Sequence, residues 1–134
     1  MRYKKPNFVF YKLAQVVSFF VARFIFKRQI IRNEIKDLKG PFVVIANHQA
    51  AYDFVNLIGV CRRRLSFVIS NSFYQSLPIQ GILDKLAVIP KQQFQTTASD
   101  MKNIKAVIDA GEPLVIYPAG LMCEDGLSTP IPAA

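Results

Sequence analysis

The chain has 134 residues, 51% of them hydrophobic and 19% charged, which excludes a disordered polyelectrolyte and is enough for one domain with a core. Its 17 Lys and Arg against 9 Asp and Glu give a net charge of +8, so an anionic partner is expected, either nucleic acid or anionic lipid. A positive mean hydropathy beside that charge argues for lipid and against nucleic acid.

Residues 8 to 26 read FVFYKLAQVVSFFVARFIF, with only Lys12, Gln15, Ser18 and Arg23 polar. On a helix these four fall within an arc of roughly 140°, and the rest of the surface is Phe, Val, Leu, Ile and other apolar residues. The pattern suits a helix lying in a membrane interface, apolar face down and cations up among headgroups. A spanning helix is the rival reading, but it would draw Lys12 and Arg23 into hydrocarbon. Both flanks are also basic (Arg2, Lys4 and Lys5 before, Lys27, Arg28 and Arg32 after), so the positive-inside rule gives no orientation. No small-x-small cleavage site follows the run, which argues against a signal peptide. A helix buried within the domain is the third reading.

After a polar loop ending at Gly40-Pro41, residues 42 to 46 (FVVIA) form a β-branched run typical of a strand buried on both faces. Asn47 offers a helix cap, and a short helix is expected over 53 to 60. Residues 65 to 69 are a second strand. A helix over 72 to 86 should be bent or split at Pro78 and Gly81. Residues 87 to 89 lead into Pro90 and Lys91 as a third strand. Thr97 to Asp100 fits a capping box, opening a helix with Met101, Ile104, Val107 and Ile108 on one side and Gly111 as its stop. Residues 113 to 117 (PLVIY) are a fourth strand. The alternation predicts an α/β fold, a largely parallel sheet flanked by helices and preceded by the amphipathic interfacial helix. Two segments are expected: a membrane-associating helical segment over 1–36 and the N-terminal part of an α/β domain over 37–134. The Pro- and Gly-rich stretch after Tyr117 carries no further element, so the chain reads as C-terminally truncated.

The chemistry-bearing stretch is Asn47-His48-Gln49-Ala50-Ala51-Tyr52-Asp53, directly after the first strand. A His and an Asp five apart can meet where loop turns into helix; the carboxylate then holds the Nδ1 proton and leaves Nε2 as a base. The ends of parallel strands are where such sheets place their chemistry. His48 is the single histidine, so a His-based metal cluster is excluded and no metal site is expected. Cys61 and Cys123 lack CxxC spacing, and Cys123 has no second histidine to activate it. Spacing alone leaves open a structural histidine bonded to a nearby carboxylate. For the Arg62-Arg63-Arg64 run, attraction of an anionic lipid or phosphorylated donor competes with a solvated loop.

The order basic amphipathic helix, strand-NHxxxxD-helix, strand, helix, Ile-Pro-Lys, helix, strand-Tyr-Pro-Ala-Gly resembles the lysophosphatidic acid acyltransferase (1-acylglycerol-3-phosphate acyltransferase) family along nearly the whole chain. That family's first motif is NHxSxxD, met here with Ala50 at the usual Ser. The resemblance implies that His48 is the general base and Asp53 its orienting partner. The acceptor hydroxyl would then attack an acyl thioester directly, with acyl-CoA or acyl-carrier protein as donor, a lysophospholipid as acceptor and no cofactor. It places Lys91 where a basic residue, usually Arg, grips the acceptor phosphate. Tyr117, Pro118 and Gly120 fall in the third motif, usually FPEGTRS, as substrate-binding residues. Here the usual Glu is Ala119 and the usual Arg is Met122, with Glu124 and Asp125 as nearby acids; these departures bear on acceptor identity. Membrane association at the cytoplasmic face is expected from the basic, apolar N-terminal helix and from two lone cysteines that fit a reducing cytosol. The alternative is a non-catalytic membrane-binding homologue.

Overall fold

The computed structural model describes residues 4–76, 78, 80–120, 122 and 123. In chain order the elements are α1 (Phe8–Phe20), continued by a π turn (Val21–Ile25), then β1 (Val43–Ile45), α2 (Asp53–Ile58) and β2 (Ser66–Ser70). α3 (Asn71–Ser76), α4 (Gln80–Lys85), β3 (Ile89–Lys91), α5 (Ala98–Asp109) and β4 (Leu114–Ile116) follow. The expected helix over 72 to 86 is split, as Pro78 requires. Among the described residues four strands make one parallel sheet in the order β1-β4-β2-β3, so β4 enters between β1 and β2. The protein is α/β with a parallel sheet flanked by helices and an apolar N-terminal helix.

Alternation along the strands sends side chains to two layers. Phe67 and Val115 join Tyr11, Ile58 and Leu65 on the α1–α2 face, with Val44 and Tyr117 packed at the margin. Leu114 and Ile89 join Val107 of α5 on the other face. The bounds of α5 follow from its sequence. Thr97 and Asp100 form the expected capping box, each side chain accepting from the other's backbone N–H. At the far end Gly111 adopts φ +73°, and the N–H groups of Gly111 and Glu112 donate to the carbonyls of Ile108 and Val107. This closing motif reverses the chain into β4, and its left-handed residue favours glycine.

α1 runs from the N-terminal edge of the sheet to the C-terminal edge. Asn7 caps it and donates its own N–H to the carbonyl of Lys85. Tyr11, Ser18 and Ala22 are the buried positions, one stripe at helical spacing. The Tyr11 ring contributes about 2 kcal/mol of burial, and its hydroxyl accepts from Leu65 N–H at 2.8 Å. Gln15 donates to the carbonyl of Cys61 at 2.6 Å, and Lys12 to that of Arg62 at 3.1 Å. Much of the polar arc therefore docks on the domain, where an outward arc among headgroups was expected. The apolar side is the open one: Phe8, Val9, Leu13, Val16, Phe20, Phe24 and Ile25 are exposed. The stretch Phe8–Ile25 is long and apolar enough to cross a membrane, with mean hydropathy 1.6 and 17% of it buried.

The arginine run lies at the N-terminal edge. Arg63 donates to the carbonyls of Gly40 and Gly111, and Arg64 to that of Pro6 at 3.0 Å. Both face the buried carboxylate of Glu112, which also pairs with Lys5 at 3.2 Å. Only Arg62 stays largely exposed, beside Asp37 at 2.9 Å. Two of the three arginines thus hold loops together, on the edge away from His48.

Candidate active site

β1 ends at Ile45, and the loop 46–52 carries the chain from the sheet edge into α2. The expected cap by Asn47 is not formed; α2 begins at Asp53, behind Tyr52. The loop is organised by Asp53 instead. Its Oδ2 accepts from Gln49 N–H at 2.7 Å, from Ala50 N–H at 3.0 Å and from His48 Nδ1 at 3.0 Å. A carboxylate can only accept, so in this contact Nδ1 carries the proton. Nε2 is then the basic nitrogen. The carboxylate also lies in the first turn of a helix, where negative charge is favoured.

β4 supplies the floor. The Tyr117 ring lies 4.6 Å from the His48 ring, centroid to centroid, at a tilt of 32°. Burial raises the Tyr117 phenol well above its ordinary pKa, and the nearby charge of Asp53 adds to the shift. The phenol therefore stays neutral, and its oxygen is buried with no hydrogen-bond partner among the described residues. Pro118 and Ala119 turn the chain, closed by Gly120 N–H donating to Tyr117 C=O at 3.1 Å. Gly120 has φ +65°; a Cβ there would only touch Phe94, so the conformation calls for glycine rather than the space. Three residues on, Cys123 N–H donates to the carbonyl of His48 at 2.7 Å and fixes the loop from the β4 side.

Lys91 ends β3, opposite Ser70 of β2 and on the same sheet edge as His48. Its ammonium donates to the carbonyls of Gln92 at 3.2 Å and Gln95 at 2.9 Å. Two of its three donors thus shape the loop after β3. Three strand spacings separate β1 from β3, about 14 Å across the sheet. That loop reaches back toward β4: Gln93 donates to Gly120 C=O at 2.5 Å, and Phe94 packs at the same glycine.

The fold therefore brings His48, Asp53 and Tyr117 into contact and keeps Pro118 and Gly120 in the adjoining turn, with Lys91 farther along the edge. Glu124 and Asp125 lie outside the described residues. Sequence reasoning missed the amides of Gln49 and Ala50, the Cys123 tie and the Gln93–Gly120 bridge. Backbone donors leave no residue-type signal, so nothing in the composition could have flagged the first three.

An imidazole held by a carboxylate at the C-terminal edge of a parallel sheet is an arrangement that can accept and return a proton on an α/β scaffold. The family model described as Acyltransferase matches residues 23–130, and the chain belongs to that family. Its members are transferases, with an acyl donor and an acyl acceptor as substrates. No curated protein and no solved structure matches the chain significantly.

Proposed function

We propose that the protein transfers a fatty acyl group from acyl-CoA or acyl-carrier protein to the hydroxyl of a lysophospholipid such as 1-acylglycerol-3-phosphate. The observation that carries this reading is the convergence of His48 Nδ1 and two backbone amides on Asp53 Oδ2, which leaves Nε2 as the base. The acceptor hydroxyl gives its proton to Nε2 as its oxygen bonds to the thioester carbonyl carbon. The tetrahedral intermediate then expels the thiolate, the C–S bond breaks, and the thiolate takes the proton from the imidazolium. An ester and a free thiol result, with no covalent acyl-enzyme. His48 is the general base and Asp53 its positioning residue; Tyr117, Pro118 and Gly120 line the substrate side. Lys91 contacts the acceptor phosphate through its remaining donor, as a point charge without the fork of an arginine.

The open apolar side of α1 is the membrane-contacting surface, and the +8 charge favours anionic lipid. Residues 1–36 form the membrane-associating segment and 37–134 belong to the acyltransferase α/β domain, at the cytoplasmic face. The replacement of the usual Glu and Arg by Ala119 and Met122 favours one second reading, a non-catalytic membrane-binding homologue.

A labelled acyl thioester and lysophosphatidate in anionic vesicles, followed by lipid extraction, tests the proposal. Wild-type protein is expected to form labelled product, and His48→Ala to lower the rate about 10³-fold with vesicle binding unchanged. Product at the wild-type rate from His48→Ala removes the His48–Asp53 assignment. Vesicle binding without product on any lysophospholipid selects the second reading.

A further inference from the structure

The C-terminal edge of the sheet carries four large apolar side chains open to solvent: Phe26 is 41% exposed, Tyr52 59%, Phe94 61% and Met122 46%. They come from four separate segments, and each adjoins the candidate site. Tyr52 leads directly into Asp53, and the Phe26 ring stacks on it at 6.0 Å. Phe94 packs at Gly120. Met122 precedes Cys123, whose N–H holds the His48 carbonyl. Phe94 also has φ +58°, a costly conformation for a bulky residue and one that clusters at functional loops. Isolated exposed apolar residues need no explanation, but four converging on one edge beside a site do.

We propose that this rim is a second membrane-contacting surface, and that it places the mouth of the site against an anionic lipid bilayer. Lipid is the occupant because of what surrounds the rim. The Phe26–Tyr52 stack joins it to the open side of the α1–π-turn helix, so a bilayer laid against the corner reaches both. Beside that corner opens a cleft of about 830 Å³ lined by Arg23, Lys27 and Arg28 together with Phe19, Phe24 and Ile31, the mixture a headgroup and its acyl chains require. The chain carries no carboxylate before Glu34, so nothing on this helix opposes anionic lipid. The inference rests on the proposed function only for membrane contact by α1; the rim extends that contact to the site itself.

The sequence contains no tryptophan, so single reporters can be placed cleanly. The variants Tyr52→Trp, Phe94→Trp, Phe24→Trp and Met101→Trp are mixed with phosphatidylglycerol-containing vesicles whose phosphatidylcholine is brominated in the acyl chains. Met101 is exposed on α5, in the layer on the other face of the sheet. Tyr52→Trp and Phe94→Trp are expected to lose emission as strongly as Phe24→Trp, to shift to the blue with unbrominated lipid, and to become shielded from acrylamide; Met101→Trp is expected to do none of these. Quenching of Phe24→Trp alone overturns the rim and leaves the helix contact standing. No quenching at any position overturns both. Quenching at all four overturns a directed surface. Acyl transfer measured on the wild-type chain is a separate readout, so failure of catalysis and failure of the rim are told apart.

Discussion

The two edges of the sheet use charge in opposite ways. At the N-terminal edge Arg63 and Arg64 are engaged by the carbonyls of Gly40, Gly111 and Pro6 and by buried Glu112. At the C-terminal edge three donors meet on one oxygen of Asp53, and that contact engages only one nitrogen of His48. Charge that closes on itself holds a fold together, and charge that closes on one side only can do chemistry. The distinction lies in the partners rather than in the residue types, since both edges are rich in hydrogen bonds to backbone.

That contrast can be broken from either side. Asp53→Asn should have the largest effect, lowering acyl transfer about 10²-fold with little change in vesicle binding, measured with labelled thioester. A rate within a few-fold of wild type would show that the loop positions His48 without the carboxylate. Glu112→Ala should act on stability alone, removing about 3 kcal/mol in urea unfolding because Arg63 and Arg64 lose their shared partner. A comparable loss of turnover in the folded protein would erase the distinction between the edges. Tyr117→Phe should have the smallest effect and the clearest sign. The raised phenol holds its proton in the folded state after the unfolded chain has lost it, so its contribution is intact below about pH 10 and declines as pH rises beyond that. The Phe variant should therefore lose less stability than wild type between neutral and strongly alkaline unfolding experiments.

The order and kind of elements were legible because each carries a local signal. β-Branched runs mark β1 and β4, Pro78 splits α3 from α4, and Thr97 with Asp100 opens α5. Their arrangement was not, because no local signal says that β4 enters between β1 and β2. The Asn47 cap failed for a related reason: the Asp53 carboxylate takes the Gln49 and Ala50 amides, and the helix opens at residue 53, where it was expected, behind Tyr52. Periodicity located the polar arc of α1 but could not say whether water or protein meets it. Gln15 and Ser18 turn inward because the Cys61 carbonyl and the packed stripe offer better partners than solvent. In the candidate site the His48–Asp53 contact was readable from spacing, whereas the Tyr117 ring under His48 depends on β4 lying beside β1.

The strand order also bears on how the protein is made. Among the described residues β1 pairs only with β4, so Val43 has no ladder partner there until Leu114 has been synthesised. β2 and β3, close in sequence, can pair well before that, and pairing of distant segments is the slow step of such topologies. During translation the loop bearing His48 therefore stays unanchored until β4 emerges, while the apolar N-terminal helix is already free to meet a bilayer. The order of synthesis thus leaves the edge that carries His48 to be paired only when the latest of the described strands appears.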